Sequence, residues 1–266
     1  MNRDRKIAIL SANKFSAYSS SVLYHALQNN IKVEFVIVKK ISGFNKIYKE
    51  LKREKFNLFV KIFQKVILQR LISIGFKSSL LDGFSSYFHE NCPPNSTLLE
   101  LTNKYNIPII ETDDFHSNKI LTKVEQSQLD LIVFTGGGLI RKELIKLSKQ
   151  GVLNCHMGIL PFYRGMDCTY WALLENENGK IGFTTHLMDE GVDTGAIIKK
   201  YFVDHNIYKS PKSIIKSIEY NMASAIVESM LLLFSDNVKF ENQKITDGKQ
   251  YFTISEELKK DKYYVV

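Results

Sequence analysis

Residues 6–39 constrain the chain more than any other stretch. Lys6-Ile-Ala-Ile-Leu-Ser11 is an almost continuous apolar run, the pattern of a strand buried on both faces. Ala17 to Gln28 is helical in character and stops at Asn29-Asn30. Lys32 to Lys39, KVEFVIVK, is β-branched and aromatic and reads as a second strand. A strand, a helix and a strand in that order make a βαβ unit with a right-handed crossover. Its parallel pair must be covered by helices on both sides.

The alternation continues downstream. Phe44 to Phe76 reads as one or two helices, with apolar residues three and four apart. Cys92-Pro93-Pro94-Asn95-Ser96 is a breaker, after which Ser96 or Thr97 caps a helix from Leu98 to Tyr105. Ile107 to Ile110 is the third strand and Asp130 to Phe134 the fourth. Thr135-Gly136-Gly137-Gly138 and a helix from Arg141 to Lys149 follow, and a fifth strand begins at Gly151. Ile181 to His186 and Ala196 to Val203 read as later strands, Lys212 to Phe234 as one long helix, and Phe240 to Thr253 as a hairpin turning near Asp247-Gly248. The expected fold is α/β, a doubly wound, mostly parallel, Rossmann-like sheet with helices on both faces. Residues 1–203 form its catalytic domain, and 204–266 a C-terminal helix and hairpin extension. Ligands of such sheets bind beyond the carboxyl ends of the strands near a topological switch point. The loops after Phe134 and after Asn154 are therefore the places to look.

Composition excludes several classes. No apolar run approaches the roughly 20 residues that cross a bilayer, and Phe56 to Phe76 is broken by Lys61, Lys65 and Arg70. The N-terminus has no signal-peptide pattern, so the expected location is cytoplasmic. Cys92, Cys155 and Cys168 form no close pair, which argues against disulfides and against a structural zinc site. The formal charge is +8, with eight Lys/Arg against two Glu between Lys46 and Arg70. That cluster reads as the solvated face of amphipathic helices rather than a nucleic-acid patch.

Asn154-Cys155-His156 stands at a strand end. Side chains two apart share a face there, so Asn154 and His156 point together. Downstream follow Leu160-Pro161-Phe162-Tyr163-Arg164-Gly165 and then Gly191-Val192-Asp193-Thr194-Gly195. An Asn-x-His, a Leu-Pro-x-Tyr-Arg-Gly loop and a Gly-Val-Asp-x-Gly turn in this order resemble the formyltransferases that use 10-formyltetrahydrofolate. The resemblance is strong over 131–201, fair at the opening βαβ unit and weak over 41–105. It implies Asn154, His156 and Asp193 as catalytic residues. An amine attacking the formyl carbon builds an oxyanion, for which Asn154 and a protonated His156 serve as donors. Asp193 orients the imidazole and helps take the amine proton. The resemblance further implies that the folate lies between Thr135, Gly136, Gly137, Gly138 and Leu139 on one side and Met188, Asp189, Glu190, Gly191 and Val192 on the other. Tyr163, Arg164 and Gly165 fall on the substrate loop. No metal is implied. His186 reads as structural, and His116 has no partner pattern.

The acceptor is narrowed by what is missing. Ser11-Ala-Asn-Lys-Phe-Ser16 lacks the glycine-rich phosphate-gripping turn of the glycinamide ribonucleotide formyltransferases. The few residues after Val203 leave little room for the C-terminal barrel of the initiator-tRNA formyltransferases, and no regulatory domain of the hydrolase type precedes Lys6. The remaining resemblance is to sugar N-formyltransferases acting on a nucleotide-linked amino sugar. A hydroxylamine or amino-acid acceptor, methionyl-tRNA, or an inactive folate-binding module are the alternatives. The expected partner is a small-molecule nucleotide sugar, with neither membrane nor nucleic acid, and a homodimer stays open.

Overall fold

The computed structural model describes residues 5–40, 96–208, 210–235 and 237–261. The helices expected over Phe44 to Phe76, their basic cluster and the Cys92–Asn95 break lie outside the described residues.

Strands β1 (Lys6–Ser11), β2 (Lys32–Lys39), β3 (Ile109–Thr112), β4 (Leu131–Thr135), β5 (Val152–His156), β7 (Gly182–Leu187) and β8 (Ile197–Phe202) form one seven-stranded sheet, ordered β3-β2-β1-β4-β5-β7-β8. The pairs from β3 through β5 are parallel, while β5–β7 and β7–β8 are antiparallel. The chain runs outward from β1 to β3 and then returns to β4 on the other side of β1, which places the switch point between β1 and β4. There the hydroxyls of Ser11, Ser19 and Thr135 are linked through Ser19, and Thr135 donates to the Leu10 carbonyl.

Helices cover both faces. On one side α1 (Ala17–Gln28) and α6 (Pro211–Phe234) pack over the strands. Ser210 caps α6, Pro211 opens it, and Ile214, Ile218, Met222, Ile226 and Leu233 are buried on its inner face. Helix α2 (Leu98–Lys104) starts at a capping box between Thr97 and Glu100. The opposite face is closed by Phe115, by Ile120 and Val124 of α3 (Asn118–Gln126), and by Leu144 of α4 (Lys142–Ile145). Helix α4 is shorter than the expected Arg141–Lys149, because the Lys149 and Gln150 amides dock on the carbonyls of Leu129 and Asp130 at the entry to β4. No described helix is long and apolar enough to cross a membrane.

Phe240 to Thr253 is not a hairpin. A tight turn at Ile245–Asp247 leads into β9 (Lys249–Tyr251), which pairs in parallel with β6 (Tyr163–Gly165), and Glu241 bridges to Ile197. Gly248 has an extended backbone, and the Pro161 carbonyl stands where its Cβ would be. The glycine serves a close approach rather than a turn. Helix α5 (Cys168–Leu174) follows β6, and α7 (Glu256–Asp261) ends the described chain.

Candidate active site

Strand β5 carries Asn154 and His156 into the site, while Cys155 between them is buried in the apolar layer near Tyr18. His156 is buried. Its Nδ1 lies 3.3 Å from Asp193 Oδ2 and its Nε2 lies 2.8 Å from the Tyr163 carbonyl oxygen. Both neighbours are acceptors, so a ring protonated on both nitrogens satisfies both. Burial opposes that charge and lowers the pKa, helped by His186, while Asp193 and the Tyr163 carbonyl pull the other way. Opposed forces of this kind suit a group that must take up and release a proton.

Asp193 lies in the left-handed region, with φ of 53°. Aspartate tolerates this better than most residues, because its short side chain finds local partners. The Gly165 amide donates to Oδ2 at 2.9 Å, and His186 Nε2 stands 3.6 Å from Oδ1. Burial raises the carboxyl pKa, but His156, His186 and the Gly165 amide outweigh it and hold Asp193 well below the usual carboxylate range. Gly165 is required here. Its φ is 94°, and a Cβ would run into the Tyr251 carbonyl.

Asn154 joins the group through His186. The β5–β7 register sets the two residues opposite each other. Asn154 Nδ2 lies 3.1 Å from His186 Nε2, and His186 Nδ1 faces the Leu187 carbonyl at 3.1 Å. The Asn154 amide and Asp193 Oδ1 both face His186 Nε2, so the tautomer of His186 decides which of the two it engages. An amide carries two hydrogens, and no other described contact takes the second. The result is a connected line from Asn154 through His186 and Asp193 to His156. The sequence reading of His186 as structural missed this, because only the cross-strand register brings it to Asn154.

Two cavities flank this line and meet at Asn154. The smaller, about 420 Å³, is walled by Tyr18, Met157, Thr169, Tyr170, Glu219 and His156 among others. The larger, about 720 Å³, runs between the loop after β4 and the loop after β7, with Lys39 and His116 at its side. Phe134, Asn154, Gly165 and Met166 belong to both walls. The sequence reading named neither Glu219 nor Lys39. His116, read as partnerless, pairs with Asp114 at 3.1 Å and accepts from the Arg141 amide.

The remaining expected residues divide. Gly138 and Leu139 line the larger cavity on one side, and Met188, Glu190, Gly191 and Val192 on the other. Thr135 and Gly136 line the smaller one. Gly137 sits against the Phe115 ring, leaving no space for a Cβ. Asp189 turns into its own loop and accepts from the Gly191 amide and the Thr194 hydroxyl. Tyr163 and Arg164 face away from both cavities. The Tyr163 hydroxyl donates to Glu175 and its ring stacks on Tyr251, while Arg164 is buried and donates to the carbonyls of Ile245 and Gly248. Only Gly165 of that loop reaches the cavity wall. Among the described residues no His, Cys, Asp and Glu group has the makings of a metal site.

Comparison with known proteins places the chain among relatives of a shared fold. A methionyl-tRNA formyltransferase of Desulforamulus reducens is 30% identical over 137 residues, 51% of this chain and 43% of that protein. The chain thus spans less than half the length of that curated relative. An N-formyltransferase of Helicobacter canadensis, solved with folinic acid and dTDP-3-aminofucose, superposes with a TM-score of 0.58 at 17% identity, covering 93% of this chain and 70% of that one. A glycinamide ribonucleotide transformylase of Symbiobacterium toebii gives a TM-score of 0.58 at 16% identity, over 91% and 93% of the two chains. At such identities the structures establish a shared fold. Residues 5–229 match the family model described as formyl transferase, and on that match the chain belongs to the formyl transferase family.

Proposed function

We propose that this chain moves a formyl group from 10-formyltetrahydrofolate to the primary amine of an amino sugar carried on a nucleoside diphosphate. The observation that carries the reading is the row Asn154–His186–Asp193–His156 beside two cavities, with His156 lining one, Asp193 the other and Asn154 both. The larger cavity offers the apolar sides of Phe134, Met188 and Val192 together with backbone from the Gly138 and Gly191 loops, which fits a flat, polar-edged ring. The bound folate supplies the formyl carbon on N10. Asn154 donates its second amide hydrogen to the formyl oxygen as charge gathers there. Asp193 holds the His156 imidazole ready to accept the proton that the attacking amine must lose. A neutral His156, the form that burial favours, takes the amine proton as the new C–N bond forms, and passes it to N10 as the bond from the formyl carbon to N10 breaks.

The smaller cavity supports a polar acceptor. Glu219 Oε2 and Thr169 Oγ1 are buried in its wall without a hydrogen-bond partner. Unpaired buried polar atoms are costly, and the hydroxyls or ammonium of an amino sugar satisfy both. A methionyl side chain would leave both unpaired. The identity to methionyl-tRNA formyltransferases nevertheless makes that acceptor the second reading to test. The purified protein is to be assayed with 10-formyltetrahydrofolate against dTDP-, UDP- and GDP-linked amino sugars and against initiator methionyl-tRNA. A formamide product from one amino sugar is expected. Faster formylation of the tRNA would overturn the acceptor assignment. No folate-dependent turnover with any amine would overturn the enzymatic reading and leave a folate-binding module.

A further inference from the structure

The matched family region ends at residue 229, yet residues 243–251 reach into the site. Gln243 Nε2 donates to the main-chain carbonyl of Asp193 at 3.1 Å and to that of Gly195. These are the carbonyls on either side of Thr194, in the turn where Asp193 takes its left-handed conformation. The same segment holds the second support of Asp193. Strand β9 pairs with β6, the Lys249 amide donates to the Phe162 carbonyl, and the Met166 amide donates to the Tyr251 carbonyl. Arg164 reaches the carbonyls of Ile245 and Gly248, and Tyr163 and Tyr251 both donate to Glu175. Gly165, fixed in the middle of this pairing, gives its amide to Asp193 Oδ2. One grip thus acts on the Asp193 backbone and the other on its carboxylate.

We propose that residues 243–251 form a clasp that orients Asp193 toward His156, with Gln243 as its positioning residue. The proposal rests on the catalytic role assigned to Asp193 above, although Gln243 itself touches no reacting atom. An orienting group matters because a displacement of about 1 Å at a catalytic group can cost on the order of 100-fold in rate. Burial in a shared fold does not by itself require a side-chain amide at this point. Two carbonyls that face one donor do.

Gln243→Glu tests this with little change in size. It replaces the donor by a carboxylate, which the two carbonyls repel. Gln243→Ala removes the group altogether, and Glu remains informative if Ala fails to fold. In both variants kcat is expected to fall roughly 10- to 100-fold, while KM for the folate stays within about 2-fold of the parent, the split that marks a loss confined to the transition state. The imidazole ¹⁵N signals of His156 should move toward those of a ring without a carboxylate neighbour. In an Asp193→Asn background, Gln243→Ala should cost nothing further, because the residue acts through the carboxylate already lost. Parental kcat and unchanged His156 signals in both variants, with Asp193→Asn inactive, overturn the clasp and leave the site intact. An equal loss in both backgrounds makes Gln243 a packing residue and overturns it as well. An Asp193→Asn protein with parental turnover overturns the catalytic reading itself, and the clasp with it.

Discussion

Asp130, buried, and Asp193, partly buried, are carboxylates whose pKa is lowered from the ordinary value, and they do opposite work. Asp130 stands at the amino edge of the sheet, just before β4. It accepts from the Lys6 amide at 2.8 Å and pairs with Lys149 at 2.9 Å and Arg5 at 3.3 Å. Burial raises its pKa, and the Lys6 amide, Lys149 and Arg5 bring it down. These partners are a backbone amide, a lysine and an arginine. Asp193 is held instead by two histidines and a glycine amide, on a left-handed backbone beside two cavities. One carboxylate pins strands together against fixed charge. The other faces the imidazoles of His156 and His186. A low carboxyl pKa therefore says little about function until the partners are named.

The widest gap between the two regions is expected in turnover. Asp193→Asn should lower kcat by roughly 10²–10⁴-fold with folate affinity nearly unchanged, as steady-state rates and calorimetry will report. Combined with His156→Ala the losses should fall well short of their product, since Asp193 acts through the imidazole. A loss seen mainly in folate affinity would break the contrast.

Glu219 sharpens it next. Burial pushes its carboxyl up to about 7. Between the unfolded value near 4.3 and that raised value the native state binds more protons than the unfolded one, so stability falls as pH rises through this window. Glu219→Gln should therefore stabilise the protein by up to about 3 kcal/mol at pH 8 and by little at pH 4, measured by denaturant midpoints. The same change should raise KM for the acceptor. Equal stabilisation at both pH values would show that the carboxyl is not the cause.

The smallest effect belongs to Asp130. Asp130→Asn should leave kcat unchanged and cost about 1–2 kcal/mol at pH 7, the worth of charge-assisted hydrogen bonds to partly exposed cations. The sign is that of a depressed carboxyl. Its contribution is present above the unfolded pKa near 3.9 and is lost as pH falls below it, so variant and parent should converge in acid. Any loss of turnover in Asp130→Asn would erase the distinction.

The parallel strands were legible because burial on both faces writes itself as apolar runs, as in Ile7 to Leu10 and Leu131 to Val133. Asn154 and His156 were legible as a strand-end pair sharing a face, while their catalytic reading and that of Asp193 came from the family resemblance and not from local pattern. What escaped depends on partners far along the chain. His186 meets Asn154 only through an antiparallel register. Tyr163 and Arg164 were placed at the substrate by resemblance, yet their side chains are taken up by Glu175, Tyr251 and the carbonyls near Gly248. The segment Lys249–Tyr251 was read as one arm of a local hairpin, but its partner is β6, some eighty residues earlier and parallel to it. Glu219 reads as a polar position on a long helix, and nothing local marks it as facing a cavity.

The position of Gln243 bears on how the protein is made. A ribosome releases β1 through β8 and α6 before residue 243 emerges, so a nascent chain can close its apolar layers while Asp193 still lacks its hold. On the clasp reading, catalytic competence then follows closure of the apolar layers rather than accompanying it. A product shortened before residue 243 would, on the same reading, keep every strand of the main sheet while lacking the hold on Asp193.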